Sequence, residues 1–193
     1  MGNPPRKATG WTLEDWIDFF AKRKRPYFFH KPPFGAALPD SIGRLVNVKR
    51  MDLCDGGLTA LPDAFAQLDR LEILHLSRNA MAELPPALRH CKSLRVLNVS
   101  GNKIASIPRW IAELTSLEVL ICCDNPSRIE PDVSFPPSLQ YLDVSRTGCD
   151  WSGDSLRTVK QLRRLSQTAP GCAVFAPRLT MRQWRWSSCQ RLP

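Results

Sequence analysis

The amino-acid sequence predicts an α/β repeat solenoid, with a short horseshoe of about five parallel strands and an N-terminal capping helix. Apolar residues recur at a 23-residue spacing, and a Trp-rich amphipathic segment precedes them. The chain has 193 residues and is 43% hydrophobic, enough for a sizeable core. No apolar run approaches the roughly 18 residues that span a membrane. The predicted boundaries are 1–37 for an N-terminal tail and capping helix, 38–150 for the repeats, 151–169 for a C-terminal capping helix and 170–193 for an irregular or disordered basic tail.

Each repeat predicts one short strand. Segments such as LEILHLSRNAMAELP, LRVLNVSGNKIASIP and LEVLICCDNPSRIEP share the pattern LxxLxLxxNxLxxLP. In LxxLxL, alternate residues such as Leu74 and Leu76 point into a core, because side chains alternate across a strand. The repeats begin at Val48, Leu71, Leu94, Leu117 and, after 22 residues, Leu139.

A column of asparagines follows the strands at Asn79, Asn102 and Asn125. Their amides can satisfy backbone groups of neighbouring turns, which buried loops must pair. Gly56 and Thr147 replace asparagine in the outermost repeats, as expected of terminal units.

The segments after each Leu-Pro predict short helical or 3₁₀ turns on the convex side, because proline suits the start of a helix. A degenerate additional repeat is expected over 25–47, with Phe28 pointing inward. The segment IEPDVSFPPS lacks this pattern and predicts an extended crossover.

The segment WTLEDWIDFFAKRKR predicts the capping helix. Thr12 and Asp15 have the spacing of a capping box, and Trp11 and Trp16 that of a hydrophobic staple. Pro26 ends the helix. The residues expected to face the repeats are Leu13, Trp16, Ile17 and Phe20.

Downstream of the repeats, residues 154–168 have the spacing of a basic amphipathic helix that could cover the last strand. The tail beyond Gly171 has no periodicity. Besides a disordered tail, a second interpretation of this segment is a truncated or frame-shifted remnant of a longer protein. The apolar positions of the predicted helix are Leu156, Val159, Leu162 and Leu165.

The 23-residue pattern resembles the intracellular class of leucine-rich repeats, which occurs in signalling proteins and in bacterial type III effectors. A Trp-rich helix ahead of a short repeat block, with no Sec signal peptide, resembles most the effectors of plant-pathogenic bacteria. Several of those join such repeats to an E3 ubiquitin ligase domain. The roughly 40 residues after the repeats are too few for that domain.

Charge is concentrated at the two ends. The formal net charge is +9, with +4 on residues 1–34 and +7 on residues 151–193. Basic ends attract nucleic acid, acidic lipid or acidic proteins, or act only as solubilising flanks. The cluster at 22–26 is also typical of a nuclear-localisation signal, although it suits a helix C-terminus better.

No catalytic, cofactor or metal site is predicted. The seven cysteines lack the CxxC or Cys/His spacing of zinc sites and are expected to be reduced thiols. Cys122-Cys123-Asp124 has the spelling of a Cys-x-Asp ligase nucleophile motif, but its register makes Cys122 an inward strand residue. The three histidines have no plausible triad partners. We therefore expect no enzyme activity.

The candidate binding surface is the concave face, formed by the strand residues that point away from the core. Its predicted centre is an apolar stripe with a polar rim, the composition of a protein interface, although β-branched residues also simply suit strands. The face is not basic, which disfavours nucleic acid as its ligand. The predicted contact residues are Arg50, Asp52, Ile73, His75, Val96, Asn98, Val119, Ile121, Tyr141 and Asp143.

These features predict a monomeric protein–protein interaction module, namely a bacterial effector that binds a host protein and needs no cofactor. One alternative is the substrate-recognition part of a ligase effector whose catalytic domain is absent or separately encoded. Another is a nucleic-acid or membrane binder acting through its basic tail. The expected location is the cytoplasm, or a host cell reached by a route without a signal peptide, with the host nucleus as a further expectation.

Overall fold

The computed structural model describes residues 11–24, 26–29, 37–127, 133–148 and 164–166. One α-helix, α1, spans Leu13–Lys22. Four 3₁₀ helices span Asp40–Arg44, Asp63–Gln67, Pro86–His90 and Arg109–Glu113. The strands are β1 Tyr27–Phe29, β2 Arg50–Asp52, β3 Ile73–His75, β4 Val96–Asn98, β5 Val119–Ile121, β6 Tyr141–Asp143 and β7 Arg164–Ser166.

The strands form one parallel sheet in sequence order, β1 to β7. Equivalent repeat positions pair in register, for example Leu74 with Leu97. The described sheet has seven strands, so the prediction of about five was too low. The degenerate first unit does supply a strand, and Phe28 is buried as predicted.

The C-terminal capping helix predicted over 154–168 is wrong for residues 164–166. These residues form β7 and pair with β6 in parallel, with Leu165 opposite Leu142. Pairing with an available sheet edge overrides the helical spacing of this segment. Residues 151–163 and the tail after 166 lie outside the described residues.

A single core runs along the solenoid beneath the sheet. The inward strand residues Leu74, Leu76, Leu97 and Val99 are fully buried, as the alternation predicted. Cys122 occupies the same inward position in its repeat and is also fully buried. Burial of a leucine side chain is worth about 1.5–3 kcal/mol, so a repeated column of them is the main stabilising term.

The asparagine column is a hydrogen-bond ladder between repeats, as predicted. Asn79 accepts the backbone N–H groups of Gly56 and Leu58 of the preceding repeat, both at 3.0 Å. Its amide donates to the carbonyl oxygens of Leu53 and Leu76, both at 2.9 Å. Because these backbone groups are inside the turn, the ladder fixes the position of each strand end.

The convex side carries the predicted 3₁₀ turns, and two of them approach closely. A Cβ atom added to Gly43 would lie 2.9 Å from the carbonyl oxygen of Ala64 in the next turn. Only glycine allows this contact without displacement. In the predicted crossover, the described residues 133–138 form no helix.

Helix α1 begins with the predicted capping box. The Thr12 hydroxyl accepts the Asp15 N–H at 3.2 Å, and the Asp15 carboxylate accepts the Thr12 N–H at 2.8 Å. The Trp11 and Trp16 rings lie 5.2 Å apart, centroid to centroid, as a staple requires. Phe19 was not predicted to be inward, yet it is buried between these rings. Within the described residues, α1 and the other helices are too short or too polar to cross a membrane.

Candidate functional site

The sheet places all ten predicted contact residues in two rows on the concave face. The first residue of each strand forms one row, and the third residue forms the other. Parallel strands lie about 4.8 Å apart, so each row is a continuous strip across the sheet. The rows are Arg50, Ile73, Val96, Val119 and Tyr141, and Asp52, His75, Asn98, Ile121 and Asp143.

The centre of this face is less accessible than the sequence predicted. Ile73, His75 and Val96 are buried, and Val96 is only 5% exposed. Register places a side chain on both sides of each, as with Ile73 between Arg50 and Val96, so neighbours cover their flanks. The expectation that Val96 is an exposed contact residue was therefore wrong.

The accessible apolar surface lies over β5 and β6. Val119, Ile121 and Tyr141 are half-buried and adjacent in the sheet. We call these three side chains the apolar patch. The Tyr141 hydroxyl donates to the Asp143 carboxylate at 3.4 Å, which joins the patch to the polar end of the second row.

The polar residues of the second row hold the turns that follow their own strands. Asp52 accepts the Cys54 N–H at 3.1 Å, and Asn98 accepts the Ser100 N–H at 3.0 Å. Asp143 accepts the N–H of Ser145 at 3.0 Å. A side chain that bonds the backbone two residues on stabilises such a turn. These three residues therefore shape the face as well as line it.

His75 lies between Asp52 and Asn98 in this row. Burial lowers its pKa below the ordinary value, and the Asp52 carboxylate opposes that shift. A buried neutral imidazole in the floor makes the middle of the face polar but uncharged at neutral pH.

Two rows of ion pairs border the concave face, and neither was predicted from the sequence. The residues directly before the strands alternate in sign: Lys49 donates to Glu72 at 2.7 Å, and Arg95 donates to Glu118 through two bonds of 3.0 Å. The sequence signal was a pair of opposite charges one repeat apart, here 23 residues. The charges on this border are neutralised within the protein.

The second border follows the strands. Arg78 donates to Asp55 through two bonds of 2.5 Å, and Arg146 pairs with Asp124 in the same way. This arginine lowers the pKa of Asp124. The residue at this position has a left-handed backbone in all five repeats, with φ from 54° to 64°. The members are Asp55, Arg78, Gly101, Asp124 and Arg146.

The Cys-x-Asp motif does not form a nucleophilic site. Cys122 is fully buried in the core, as its register predicted. Burial raises the pKa of the neighbouring Cys123 thiol to about 11, and the Asp143 and Asp124 carboxylates add to the shift. A thiol with such a pKa carries almost no thiolate at neutral pH. Among the residues that the structure describes, no cluster of His, Cys, Asp and Glu could hold a metal ion.

Comparison with known proteins agrees with this architecture. The family model described as "Leucine rich repeat" matches residues 46–104. Internalin C2 of Listeria monocytogenes has a similar structure, with a TM-score of 0.60 and 22% identity over 68% of this chain and 56% of that one. The chain folds as a leucine-rich repeat solenoid.

Two further structures support the same fold. A leucine-rich repeat protein of Leptospira interrogans is 22% identical, with a TM-score of 0.57, over 77% of this chain and 45% of that one. PEPR1, in the structure of PEPR1–AtPEP1, is 26% identical, with a TM-score of 0.55, over 68% of this chain and 19% of that one. The chain thus spans about half the length of the first two structures. No curated protein matches its sequence.

The fold defines what kind of site this is. Leucine-rich repeat solenoids are in general protein-binding modules that use the concave face, and no catalytic family is indicated here. The accessible parts of that face are the apolar patch, the Asp143 end, the Arg50 end and the half-buried Asn98.

Proposed function

We propose that this protein binds another protein through its concave face, with the apolar patch at the centre of the contact. The supporting observation is that Val119, Ile121 and Tyr141 present partly exposed apolar surface between two ion-paired borders. An apolar centre inside a polar rim is where interface binding energy concentrates. Because the border charges are paired internally, the face lacks the basic field that nucleic acid needs.

The proposal includes the origin of the partner. We propose a host protein, because the Trp-rich helix α1 ahead of a short repeat block resembles bacterial effectors. The role as an effector, and delivery into a host cytoplasm or nucleus, rest on that resemblance alone. Binding to a host protein through the patch is the part that can be tested directly.

The test compares capture of partners from a eukaryotic lysate by wild type and by the double variant Val119→Glu, Ile121→Lys. Both positions are half-buried at the sheet surface, so the variant should keep cooperative unfolding. The matched control is Val46→Glu, since Val46 is 46% exposed outside the strands. A partner that binds wild type and the control but not the double variant supports the proposal.

Equal capture by the folded double variant would instead move the function to the basic ends. Binding through those ends should fall steeply with salt, because it depends on charge neutralisation. Repeating the capture at two salt concentrations therefore separates the concave-face function from binding by the basic tail. The tail itself lies outside the described residues.

A further inference from the structure

One cation on the concave face is not part of either ion-paired border. Arg50 is exposed at the first position of β2, and its guanidinium lies 5.6 Å from the centroid of the Tyr27 ring. Tyr27 is itself 44% exposed, one of two large hydrophobic side chains exposed to that degree in the described chain. The two residues pair in register at the start of the sheet.

Register explains why Arg50 differs from the other cations near the strands. Arg95 has Glu118 at the same position in the next repeat and binds it. Arg50 has Tyr27 on one side and Ile73 on the other, and neither is acidic. Among the described residues, no carboxylate forms an ion pair with Arg50.

The nearest carboxylate along the same strand bonds the backbone and forms no ion pair with Arg50. Asp52 is two residues further on, and its Oδ1 accepts the Cys54 N–H at 3.1 Å. The guanidinium carbon lies over the Tyr27 ring at a distance typical of a cation–π contact. The guanidinium is a planar fork of five N–H donors. That geometry suits two-point binding of a carboxylate.

We propose that Tyr27 and Arg50 form a carboxylate-binding subsite for an extended segment of the partner protein. This proposal rests on the proposed function, because it assigns the partner's chemistry at one end of the same face. Three strand spacings separate Arg50 from Val119 in its row, or about 14 Å. An extended chain covers that distance with about four or five residues. The partner segment therefore carries an acidic group four or five residues from an apolar side chain.

The experiment selects a phage-displayed library of random dodecapeptides on the full protein. Wild type should enrich peptides with that acidic–apolar spacing. Arg50→Gln should lose the acidic preference and bind the wild-type consensus peptide about tenfold more weakly. The matched control is Arg70→Gln, since Arg70 is exposed and contacts Asn47 rather than the sheet face.

A double-mutant cycle tests the contact directly. Replacing the acidic residue of the consensus peptide with its amide should weaken binding to wild type about tenfold and change binding to Arg50→Gln little. Synthesis of the consensus peptide with a C-terminal amide shows whether the bound carboxylate belongs to a side chain or to the chain end. An acidic preference that persists in Arg50→Gln, or a consensus without acid, overturns the subsite alone.

The remaining outcomes concern the proposed function separately. Acid-dependent binding that survives in Val119→Glu, Ile121→Lys supports the subsite and contradicts the role of the apolar patch. Enrichment of no peptide counts against both proposals. Loss of binding in each variant, with unchanged melting temperatures, supports both.

Discussion

Replacing Asn102 with alanine should lower the free energy of unfolding by about 3 kcal/mol. Asn102 is only 7% exposed. Its Oδ1 accepts the N–H of Met81 at 3.1 Å, and its Nδ2 donates to the carbonyl oxygens of Leu76 and Val99, both at 2.9 Å. The side chain therefore joins two consecutive repeats through buried backbone groups.

The side chain also donates to the Ser100 carbonyl at a longer 3.3 Å, and the three shorter bonds do not contribute equally. The Leu76 carbonyl also accepts from Asn79, and the Val99 carbonyl also accepts from Asn125. Each therefore loses one of two bonds, at about 0.5–1 kcal/mol apiece. The buried Met81 N–H loses the acceptor that it has here, which costs about 1–3 kcal/mol. Together these terms give the predicted magnitude.

The assay is urea unfolding followed by circular dichroism, with linear extrapolation. The control is Asn98→Ala, because the Asn98 side chain bonds only to Ser100 of its own repeat, on the half-exposed concave face. We expect the control to cost about 1 kcal/mol. If both variants lose the same amount, the ladder between repeats does not carry the stability assigned to it.

Three further predictions follow from the described contacts. Gly43→Ala should lower the free energy of unfolding by about 2 kcal/mol, because the added Cβ meets the carbonyl oxygen of Ala64. An unchanged melting temperature in thermal unfolding would show that the two turns can shift apart. Because the folded pKa of His75 is lowered, the contribution of His75 to stability should be complete above its unfolded pKa of about 6.5 and be lost as pH falls. Urea titrations of wild type against His75→Gln measure this loss, with the exposed His90→Gln as control. Parallel pH profiles of the free energy of unfolding would contradict the prediction. The rate at which iodoacetamide alkylates Cys123, measured by mass spectrometry, should keep rising up to about pH 11. The rate for an ordinary thiol levels off at about pH 8.5, so levelling there would show that the Cys123 thiol is not shielded.

The repeat spacing alone predicted most of the architecture. Because the pattern alternates, it placed Leu74, Leu76, Leu97 and Val99 in the core, and it placed Asn79 among the backbone groups that it binds. The 3₁₀ turns followed from the Leu-Pro signal in the same way. These features depend on local chemistry repeated many times, so one sequence suffices to find them.

The end of the sheet could not be predicted in this way. A three-residue strand such as Arg164–Ser166 is too short to show whether its side chains repeat with the period of a strand or of a helix. Its conformation is set by the free edge of β6, a property of the folded sheet rather than of the segment.

The candidate site was predicted in position but not in accessibility. Alternation shows that Val96 and Val119 share a face, yet Val96 is buried and Val119 is half-buried. The difference depends on what surrounds each side chain across several repeats. The Tyr27–Arg50 pair was missed because Tyr27 belongs to the degenerate repeat, which lacks the LxxLxL pattern, although an inward Phe28 already implies that Tyr27 points to the opposite side of the sheet.

The alternating border before the strands constrains how this chain could lengthen in evolution. Lys49, Glu72, Arg95 and Glu118 change sign at every step, so the electrostatic unit is two repeats, although the structural unit is one. Tandem duplication of a single repeat would set two like charges side by side, which is unfavourable between neighbouring strands. Duplication of a pair would preserve every attraction. Gene growth by even numbers of repeats is thus favoured by the pattern of four surface side chains.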